Sequence, residues 1–334
     1  MKINKKAVGI TSGGLDSILS ALILKDQGID VFWMSFKTPF FSSDAAEKAA
    51  KTWNIPIKVQ DITKEYLTLF DNPKAGFGKN MNPCMDCHVL MFALAGKEME
   101  KQQADFIFSG EVAGQRPKSQ TKNSLRYVEK NSGFPGLILR PLSAKILPET
   151  MVEKAGWVDR AKLFDIAGRS RKVQMELAKH YGVKDFPTPA GGCLLTDSIF
   201  SSRLKDLLFV QKDFEIRELS LLKYGRHFRI NNSLKIIVGR SKNDNDNILR
   251  YYKSDNDILI NPVSIPGPVV LIVQDKIMQG KKKEETGEIA GLICASYTKA
   301  ALGEITDIHI IYPGNEKSFK VKACHNSEFR KFMI

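Results

Sequence analysis

The sequence predicts a doubly wound α/β domain with a parallel sheet, followed by a smaller α+β domain. Strand and helix patterns alternate through the first half of the 334 residues, as they do when helices connect parallel strands. Beyond about residue 205, short strand-like runs follow one another with one small-residue helix pattern among them. We therefore expect two domains, over residues 1–205 and 215–334, with the boundary near 205–220.

Five strand patterns and four helix patterns make up the predicted first domain. The apolar run Ala7–Ile10 predicts the first strand, and Ile18–Leu24 predicts the helix that follows it. The other strands are expected at residues 30–36, 55–62, 105–109 and 137–142. The other helices are expected at residues 43–53, about 88–101 and 169–181. Glycine and proline predict a loop at 72–78 and irregular backbone at 187–193.

The second domain is predicted to consist mainly of strands. Short apolar runs place them at residues 235–239, 258–260, 269–273, 305–312 and 319–324. A run of small residues at about 287–301 predicts a helix before the last two strands. This mixture of strands and one helix is typical of an α+β domain.

The overall charge favours a polyanionic partner. Lys and Arg number 50 against 37 Asp and Glu, which gives a net charge of +13. Nucleic acid is the first candidate for such a partner, and a basic surface that binds nothing is the alternative. No apolar run approaches the roughly 18 residues of a membrane span. Because the N-terminus leads directly into the first strand, we expect no signal peptide, no membrane association and a cytoplasmic protein.

The loop from Ser12 to Ser17 is the strongest chemical signal in the chain. It joins a buried strand to a buried helix, so several backbone N–H groups and the positive end of the helix dipole face one point. Gly13 and Gly14 allow a tight turn and the close approach of an anion, and the two serines add hydroxyl donors. Asp16 is suited to hold the loop or a Mg²⁺ ion bound to phosphate. A plain capped helix start is the alternative; the Walker A and dinucleotide-binding patterns are absent.

The run Ser12-Gly13-Gly14-Leu15-Asp16-Ser17 resembles the pyrophosphatase loop of the ATP pyrophosphatases, the PP-loop enzymes. The resemblance implies their fold, an adenine nucleotide alpha hydrolase-like (HUP) sheet. Those enzymes cleave ATP to AMP and pyrophosphate by adenylating a substrate oxygen, and a nitrogen or sulfur nucleophile then displaces AMP. The resemblance therefore implies ATP and Mg²⁺ in this loop, with Asp16 taking part in catalysis.

A second segment narrows the resemblance to the tRNA 4-thiouridine synthetases. The matching residues are Gly110, Glu111, Gly114, Gln115, Ser119, Gln120 and Thr121, and Arg140-Pro141-Leu142 also has a counterpart there. The resemblance spans about residues 6–200 and adds Gly110 and Gln115 to the nucleotide site. That family carries RNA-binding modules ahead of its ATP domain, and we expect this chain to be a short form without them.

Other residues near the predicted strand ends complete the nucleotide site. The carboxyl ends of parallel strands meet at one edge of a sheet, where ligands bind. Ser35 and Phe36 end the second strand, so their backbone groups are candidates to bind the adenine edge; ordinary strand ends are the alternative. Arg116 and Lys118 are candidates to neutralise triphosphate or RNA phosphate.

Cys84, Cys87 and Cys193 are the predicted metal ligands. The odd total of five cysteines argues against a disulfide framework and favours metal binding or thiol chemistry. Three thiolates suit a [4Fe-4S] cluster with one iron open to sulfide, and some thiouridine-forming PP-loop enzymes resemble this arrangement of one CxxC and one distant Cys. We expect Cys193 to take part in the sulfur chemistry. Zinc with His88 as a fourth ligand and a metal-free persulfide route both stay open, and Cys294 is expected in a core.

Basic residues in both domains are candidates for RNA contact. Arg169, Arg171 and Lys172 open a predicted helix, where the dipole opposes positive charge, so phosphate contact is favoured over a stabilising role; a solvated face is the alternative. The segments Ile237–Asn243 and Ile265–Pro268 resemble the RNA-binding domain of the NFACT proteins of ribosome quality control. That resemblance implies RNA contact by Arg240.

These observations predict an ATP-dependent tRNA sulfurtransferase of the 4-thiouridine type. ATP adenylates a uridine, and sulfur held by Cys84, Cys87 and Cys193 displaces AMP. The expected partners are tRNA and a sulfur donor, either a cysteine desulfurase or inorganic sulfide. Two alternatives are an amidating ATP pyrophosphatase with a structural zinc and a non-catalytic RNA-binding protein.

Overall fold

A five-stranded parallel sheet forms the centre of the first part of the chain in a computed structural model, which describes residues 5–188, 193–273 and 281–334. Its strands are β1 (Lys6–Ile10), β2 (Asp30–Lys37), β3 (Ile57–Asp61), β4 (Phe106–Ser109) and β5 (Ile138–Leu139). Their order is β3-β2-β1-β4-β5, and every neighbouring pair is parallel. The predicted doubly wound sheet is thus confirmed, with β1 at its centre.

Helices lie on both faces of this sheet. They are α1 (Leu15–Lys25), α2 (Asp44–Trp53), α3 (Thr63–Leu67), α4 (Cys84–Lys101), α5 (Lys122–Asn131), α6 (Met151–Lys154) and α7 (Lys172–His180). The connection through α1 leads from β1 to β2, and the connection through α4 leads back across the sheet to β4. Because such crossovers are right-handed, α1 and α4 cover opposite faces.

The cysteine-bearing helix α4 begins earlier than the sequence predicts. We expected it at about residue 88, but it begins at Cys84 and follows Pro83. Pro83 lacks an N–H and its backbone carbonyl accepts a bond from Cys87 N–H at 2.8 Å, so it makes a natural helix start. Cys84 and Cys87 therefore lie on the first turn of α4.

Two other predicted elements are shorter in the structure. The strand β5 covers only part of the predicted 137–142, because Pro141 cannot donate to a ladder and ends the pairing. The helix α7 begins after Arg171, so Arg169 and Ser170 precede it.

The second part of the chain contains a six-stranded antiparallel sheet. Its strands are β6 (Arg226–Asn231), β7 (Leu234–Val238), β8 (Ile258–Pro262), β9 (Val270–Ile272), β10 (Ile305–Tyr312) and β11 (Asn315–Lys322). Their order is β11-β10-β8-β9-β7-β6. The helices are α8 (Ser198–Lys205), α9 (Ile216–Leu221), α10 (Lys242–Tyr251) and α11 (Lys281–Ser296). Within the described ranges, no helix combines the length and apolar character that crossing a membrane requires.

The two faces of this antiparallel sheet carry separate cores. Ile293 and Cys294 of α11 are buried against one face, as predicted for Cys294, while Ile248 of α10 is buried against the other. Sequence reasoning missed α10 because its first half is rich in Asp and Asn, which are poor helix formers. Ser241 compensates at its start, where the hydroxyl accepts a hydrogen bond from Asp244 N–H at 3.2 Å.

The chain divides into two compact units, Met1–Thr196 and Asp197–Ile334. We predicted the boundary near 205–220; the structure places it earlier because α8 packs into the second unit. Arg203 of α8 donates 2.9 Å hydrogen bonds to the carbonyl oxygens of Leu222 and Gly225.

Candidate nucleotide and thiol site

The loop after β1 is held in shape by its own hydroxyl groups. Thr11 Oγ1 accepts a hydrogen bond from Gly13 N–H at 3.0 Å and lies 2.9 Å from Ser17 Oγ. Ser17 Oγ in turn donates to Gly14 O at 2.8 Å, so the two predicted serines differ in role. Ser17 is buried and structural, whereas Ser12 is exposed at the mouth of the loop. The loop is therefore organised before any ligand binds.

Two glycines let neighbouring segments approach this loop closely. Gly13 has a φ of +75°, and a Cβ there would lie 2.2 Å from the backbone of Ala45 at the start of α2. A Cβ on Gly110 would lie 2.4 Å from Ser17 N. The loop after β4 thus rests directly on the loop after β1, and neither contact tolerates a side chain.

Asp16 is half-buried, and one oxygen of its carboxylate has no hydrogen bond of normal geometry. Its Oδ2 accepts a hydrogen bond from Gln115 Nε2 at 3.2 Å, while Oδ1 is buried and has no such partner among the described residues. Burial raises the pKa of Asp16, and the hydrogen bond from Gln115, the charge of Arg171, an interaction with Gln174 and the charge of Arg116 oppose that rise. A buried carboxylate oxygen without a partner is costly unless a ligand supplies one. A magnesium ion bound to phosphate meets that requirement.

The start of α7 forms a further wall beside Asp16. Arg171 is half-buried, with a buried Nε that has no partner among the described residues, and its charge lowers the pKa of Asp16. Gln174 is fully buried, and neither of its side-chain atoms makes a hydrogen bond of normal geometry to the described residues. Arg169 and Lys172 are instead exposed. Sequence reasoning grouped Arg171 with the RNA contacts and missed Gln174, whose helical position gives no chemical signal.

Ser35 and Phe36 lie where β2 runs past the end of β1. The last pair between those strands joins Ile10 and Met34, so the next residues of β2 present backbone groups beyond β1. Both side chains are buried. This backbone edge is compatible with the predicted adenine contact.

Glu111, next to Gly110, is the centre of a buried ion network. Its Oε1 lies 2.8 Å from His88 Nδ1, and its Oε2 accepts a hydrogen bond from Arg140 Nε at 2.9 Å. Arg140 also donates to Glu129 Oε2 at 3.2 Å. Burial raises the pKa of Glu111, but Arg140 and His88 outweigh it and lower the pKa to about 2. The network therefore fixes the loop after β4 to α4 and α5.

The three predicted thiols gather in the first unit. Cys84 and Cys87 come from α4, and Cys193 follows residues 189–192, which lie outside the described residues. Burial raises the pKa of Cys87 to about 12, and the nearby Cys193 and Cys84 add to the rise while a hydrogen bond with Tyr66 opposes it. Burial likewise raises the pKa of Cys193. The thiols are thus close enough to influence one another.

Aromatic rings and polar anchors surround the thiols. The ring of Tyr66 lies 5.4 Å from Phe40 and 5.8 Å from Phe70, which forms an apolar bed. Asn82 Nδ2 donates to Cys84 Sγ at 3.1 Å, and buried Asp86 accepts a 3.0 Å bond from Ala75 N–H. These partners were not predicted, because aromatic and amide residues carry no metal-binding signature.

Cys84, Cys87 and Cys193 are of the residue type that binds sulfur-ligated metal groups, but their side chains are not in a coordinating arrangement in this structure. No group of three or more His, Cys, Asp or Glu within residues 5–188, 193–273 and 281–334 is arranged to hold a metal ion. Three thiols fit the donor preferences of an iron–sulfur cluster and of zinc alike. His88 commits Nδ1 to Glu111, which leaves Nε2 as its remaining ring nitrogen.

Arg116 influences both the loop and one of the thiols through its charge. It is exposed, on a turn closed by a 2.6 Å hydrogen bond from Gly114 N–H to Gln120 O. Burial raises the pKa of both Asp16 and Cys193, and the charge of Arg116 opposes the rise at both groups. Lys118, on the same turn, is also exposed. One guanidinium therefore acts on the carboxylate of the loop and on the third thiol.

In the second unit, Arg240 forms an ion pair with Asp244 of the following helix, α10. Its Nε donates to Asp244 Oδ2 at 2.7 Å while its side chain stays 47% exposed. Asn245, just after the segment 237–243, donates to Gly267 O at 3.4 Å and accepts from Val269 N–H at 3.1 Å, and Gly239 N–H donates to Val269 O at 2.9 Å. The segments 237–243 and 265–268 therefore lie side by side.

Two family models match the chain. Residues 3–155 match the family described as thiamine biosynthesis protein (ThiI), and residues 225–333 match the NFACT protein RNA binding domain. The tRNA-specific 2-thiouridylase MnmA of Clostridium acetobutylicum is 33% identical over 127 residues, which cover 32% of this chain and 36% of that protein. The corresponding protein of Francisella philomiragia is 28% identical over 247 residues, or 68% of this chain and 64% of that protein.

Among solved structures, a 4-thiouridine synthetase–RNA complex with bound ATP is 22% identical, with a TM-score of 0.34. The match covers 52% of this chain and 50% of that one. The chain spans between about a third and just under two thirds of the length of these two 2-thiouridylases.

With its five-stranded parallel sheet and the glycine-containing loop after β1, the first unit resembles the PP-loop ATP pyrophosphatases. Within that class it resembles the ThiI family over residues 3–155, and the second unit resembles the NFACT RNA-binding domain over residues 225–333.

Proposed function

We propose that this protein is an ATP-dependent tRNA sulfurtransferase that adenylates a uridine and replaces one of its oxygens with sulfur. The first unit carries the reaction, and the second unit binds RNA. The proposed substrates are ATP, tRNA and a sulfur donor. The proposal keeps the predicted cytoplasmic location.

The packing of the nucleotide loop beside the cysteine-bearing helix is the observation that carries this proposal. Gly110 packs on Ser17 of the loop, and the neighbouring Glu111 lies 2.8 Å from His88, which follows Cys87 on α4. The charge of Arg116 also opposes the rise in pKa at both Asp16 and Cys193. An ATP-driven sulfur transfer needs this proximity, because the activated base has to meet sulfur before water hydrolyses it. A nucleotide site without a sulfur role does not need a thiol there.

The first step is the activation of the base. The carbonyl oxygen of uridine attacks the α-phosphorus of ATP, the bond to the bridging oxygen breaks, and pyrophosphate leaves with the electron pair. The backbone N–H of Gly14 and the hydroxyl of exposed Ser12 bind the pyrophosphate, and Asp16 holds its Mg²⁺. Arg171 neutralises charge on the leaving group, which gives its buried Nε a partner.

The second step forms the carbon–sulfur bond. Hydrosulfide adds at the activated carbon, the carbon–oxygen bond breaks, and AMP leaves with the former carbonyl oxygen. The proton of hydrosulfide replaces the one that the base loses during activation, so the step involves no net oxidation or reduction. Arg116 stabilises the negative charge on the departing AMP. Cys84, Cys87 and Cys193 hold the sulfur-delivering group, and a [4Fe-4S] cluster bound there would supply an open iron that binds sulfide.

A second position on the base is also a candidate. The 4-thiouridine type follows from the resemblance to the ThiI family, whereas the relatives in Clostridium and Francisella are named as 2-thiouridylases. The chemistry at either carbonyl is the same, so the same residues serve both products.

The test is the reconstitution of the reaction under anaerobic conditions. Purified protein, unmodified tRNA, Mg-ATP and sulfide are combined, pyrophosphate is measured, and the digested nucleosides are identified by mass spectrometry. We expect tRNA-dependent pyrophosphate and a thiolated uridine, whose chromatographic position distinguishes 4-thio from 2-thio. A nucleoside product that carries new nitrogen and no sulfur would contradict sulfur transfer and support the amidating alternative.

Three variants separate the two steps. Cys193→Ser is expected to abolish the thiolated product while it retains tRNA-dependent pyrophosphate release. Cys324→Ser, a cysteine of the second unit, is the matched control and is expected to behave like the wild type. About four irons per chain in the wild type, lost in Cys193→Ser, would support the cluster. Thiolation by metal-free protein with a cysteine desulfurase persulfide as the donor, and none with sulfide alone, would support the persulfide route. One tightly bound zinc would support a structural role.

A further inference from the structure

An open groove of about 640 Å³ lies beside α5, away from the loop and the thiols. Its accessible apolar floor comes from Pro135, Leu147 and Pro148, beneath which Ile138 and Leu139 are buried. One wall is α5 itself, and the other is formed by residues 147–150. The proposed reaction assigns no role to this groove.

Three basic residues of α5 line the groove. Lys122, Arg126 and Lys130, called here the α5 stripe, are spaced four residues apart and therefore lie on one side of the helix, about 6 Å from one another along its axis. All three are exposed, and none forms an ion pair with a residue in the described part of the chain. The stripe thus presents three free positive charges at a regular spacing.

Helix stability does not explain the stripe. Lys122 is the first residue of α5, where the helix dipole disfavours a positive charge, and the first turn holds no acidic residue. Two of the acidic residues that line the groove are already engaged. Glu129 is bonded to Arg140 and to Gly136 N–H, and Glu153 is bonded to Arg160. Glu149 on the opposite wall is exposed.

We propose that the groove binds the RNA substrate, with successive phosphates of one strand on the α5 stripe and sugar or base surfaces on the apolar floor. Arg116 and Lys118 precede α5 directly, so free positive charge continues from the nucleotide site to Lys130. An RNA whose base is adenylated at that site would find free positive charge along this line. Phosphate contacts of this kind position a nucleic acid without reading its sequence. The inference rests on the proposed function, because it takes tRNA as the substrate.

The test compares two triple variants of the full chain that remove the same charge. Lys122→Gln, Arg126→Gln and Lys130→Gln neutralise the stripe. Lys25→Gln, Lys51→Gln and Lys179→Gln neutralise three exposed lysines on α1, α2 and α7. Unmodified tRNA is titrated with each protein by fluorescence anisotropy at several salt concentrations, and Mg-ATP binding by calorimetry verifies that each variant is folded.

The stripe variant is expected to lose roughly tenfold or more in tRNA affinity at about 0.1 M salt, and the slope of log affinity against log salt to fall by about 2, as for three lost single-strand phosphate contacts. The control should lose less than about threefold, and Mg-ATP binding should be unchanged in both. Equal losses of tRNA affinity in the two variants, or an unchanged slope of log affinity against log salt in the stripe variant, would overturn the proposal that the groove binds RNA. If the stripe variant keeps its tRNA affinity and loses only transfer from a protein sulfur donor, the groove binds that protein instead. If the wild-type protein thiolates tRNA and the stripe variant binds tRNA equally well, the groove proposal fails and the proposed function is retained. If the wild-type protein does not bind tRNA, both proposals fail.

Discussion

Asp16 and Glu111 follow neighbouring strands of one sheet and each has a buried carboxylate oxygen, yet their surroundings differ. Glu111 has a partner at each oxygen, and although burial alone raises its pKa, Arg140 and His88 bring it to about 2. Asp16 has a partner at one oxygen only, and burial keeps its pKa raised. The difference indicates which of the two carboxylates serves the fold and which is left for a ligand.

A carboxylate whose partners all come from the chain contributes stability and leaves nothing for a substrate. A carboxylate buried with a free oxygen costs stability in the absence of a ligand, and such a cost persists where function requires it. Arg171 and Gln174 share this property, since their buried polar atoms also lack partners among the described residues. Three residues with such buried polar atoms, Asp16, Arg171 and Gln174, therefore lie together beside the loop after β1.

The largest expected effect is that of Asp16→Asn on activity. Loss of the metal-binding charge should reduce pyrophosphate release by roughly 10²–10³-fold. The free energy of unfolding should stay the same or rise, because the variant removes a carboxylate whose ionisation burial disfavours. Pyrophosphate assays and urea unfolding measure the two quantities, with Asp30→Asn at the opposite end of β2 as the control. A variant that retains activity would remove Asp16 from the site.

Glu111→Gln is expected to act on stability. It leaves buried Arg140 without its charged partner, so the free energy of unfolding of the first unit should fall by about 3 kcal/mol at pH 7. The pKa of Glu111 in the folded protein is lowered from 4.5 to about 2, so this stability is present above pH 4.5 and is lost as the pH falls towards 2. Unfolding curves at pH 7 and at acid pH test this. A difference between variant and wild type that does not shrink in acid would contradict the assignment.

The smallest effect is expected from Gln115→Ala. The variant removes one hydrogen bond to Asp16, worth about 1 kcal/mol. Because that bond lowers the pKa of Asp16, its loss should raise this pKa further and move the acid limb of the pH–activity profile to higher pH. Pyrophosphate release measured from pH 5 to pH 8.5 checks this, and superimposable profiles would show that Gln115 does not act through Asp16.

The parts of the site that are local in sequence could be predicted. Gly13, Gly14 and Asp16 lie in one run between a strand and a helix, so their backbone geometry follows from their neighbours in the chain. The cysteine pair could be found for the same reason. Gly110 required a resemblance, because only the folded sheet shows that its missing side chain makes room for Ser17.

The parts of the site that depend on packing could not be predicted. Tyr66 reaches Cys87 from a different helix, and Gln174 reaches the surroundings of Asp16 from α7, far along the chain. Neither residue type carries a signature of its own. The sign of the charge on Arg171 was visible in the sequence, but its place beside Asp16 depends on how α7 packs against α1.

The setting of the thiols also bears on how the sulfur-delivering group is loaded. The thiolate is the form of cysteine that binds metals and acts as a nucleophile. Burial raises the pKa of Cys87 to about 12 and also raises that of Cys193, so both are held as neutral thiols at neutral pH. Each of these thiols therefore has to lose a proton before it binds a metal or carries sulfur, and that proton is released to the surroundings when the sulfur-delivering group is loaded.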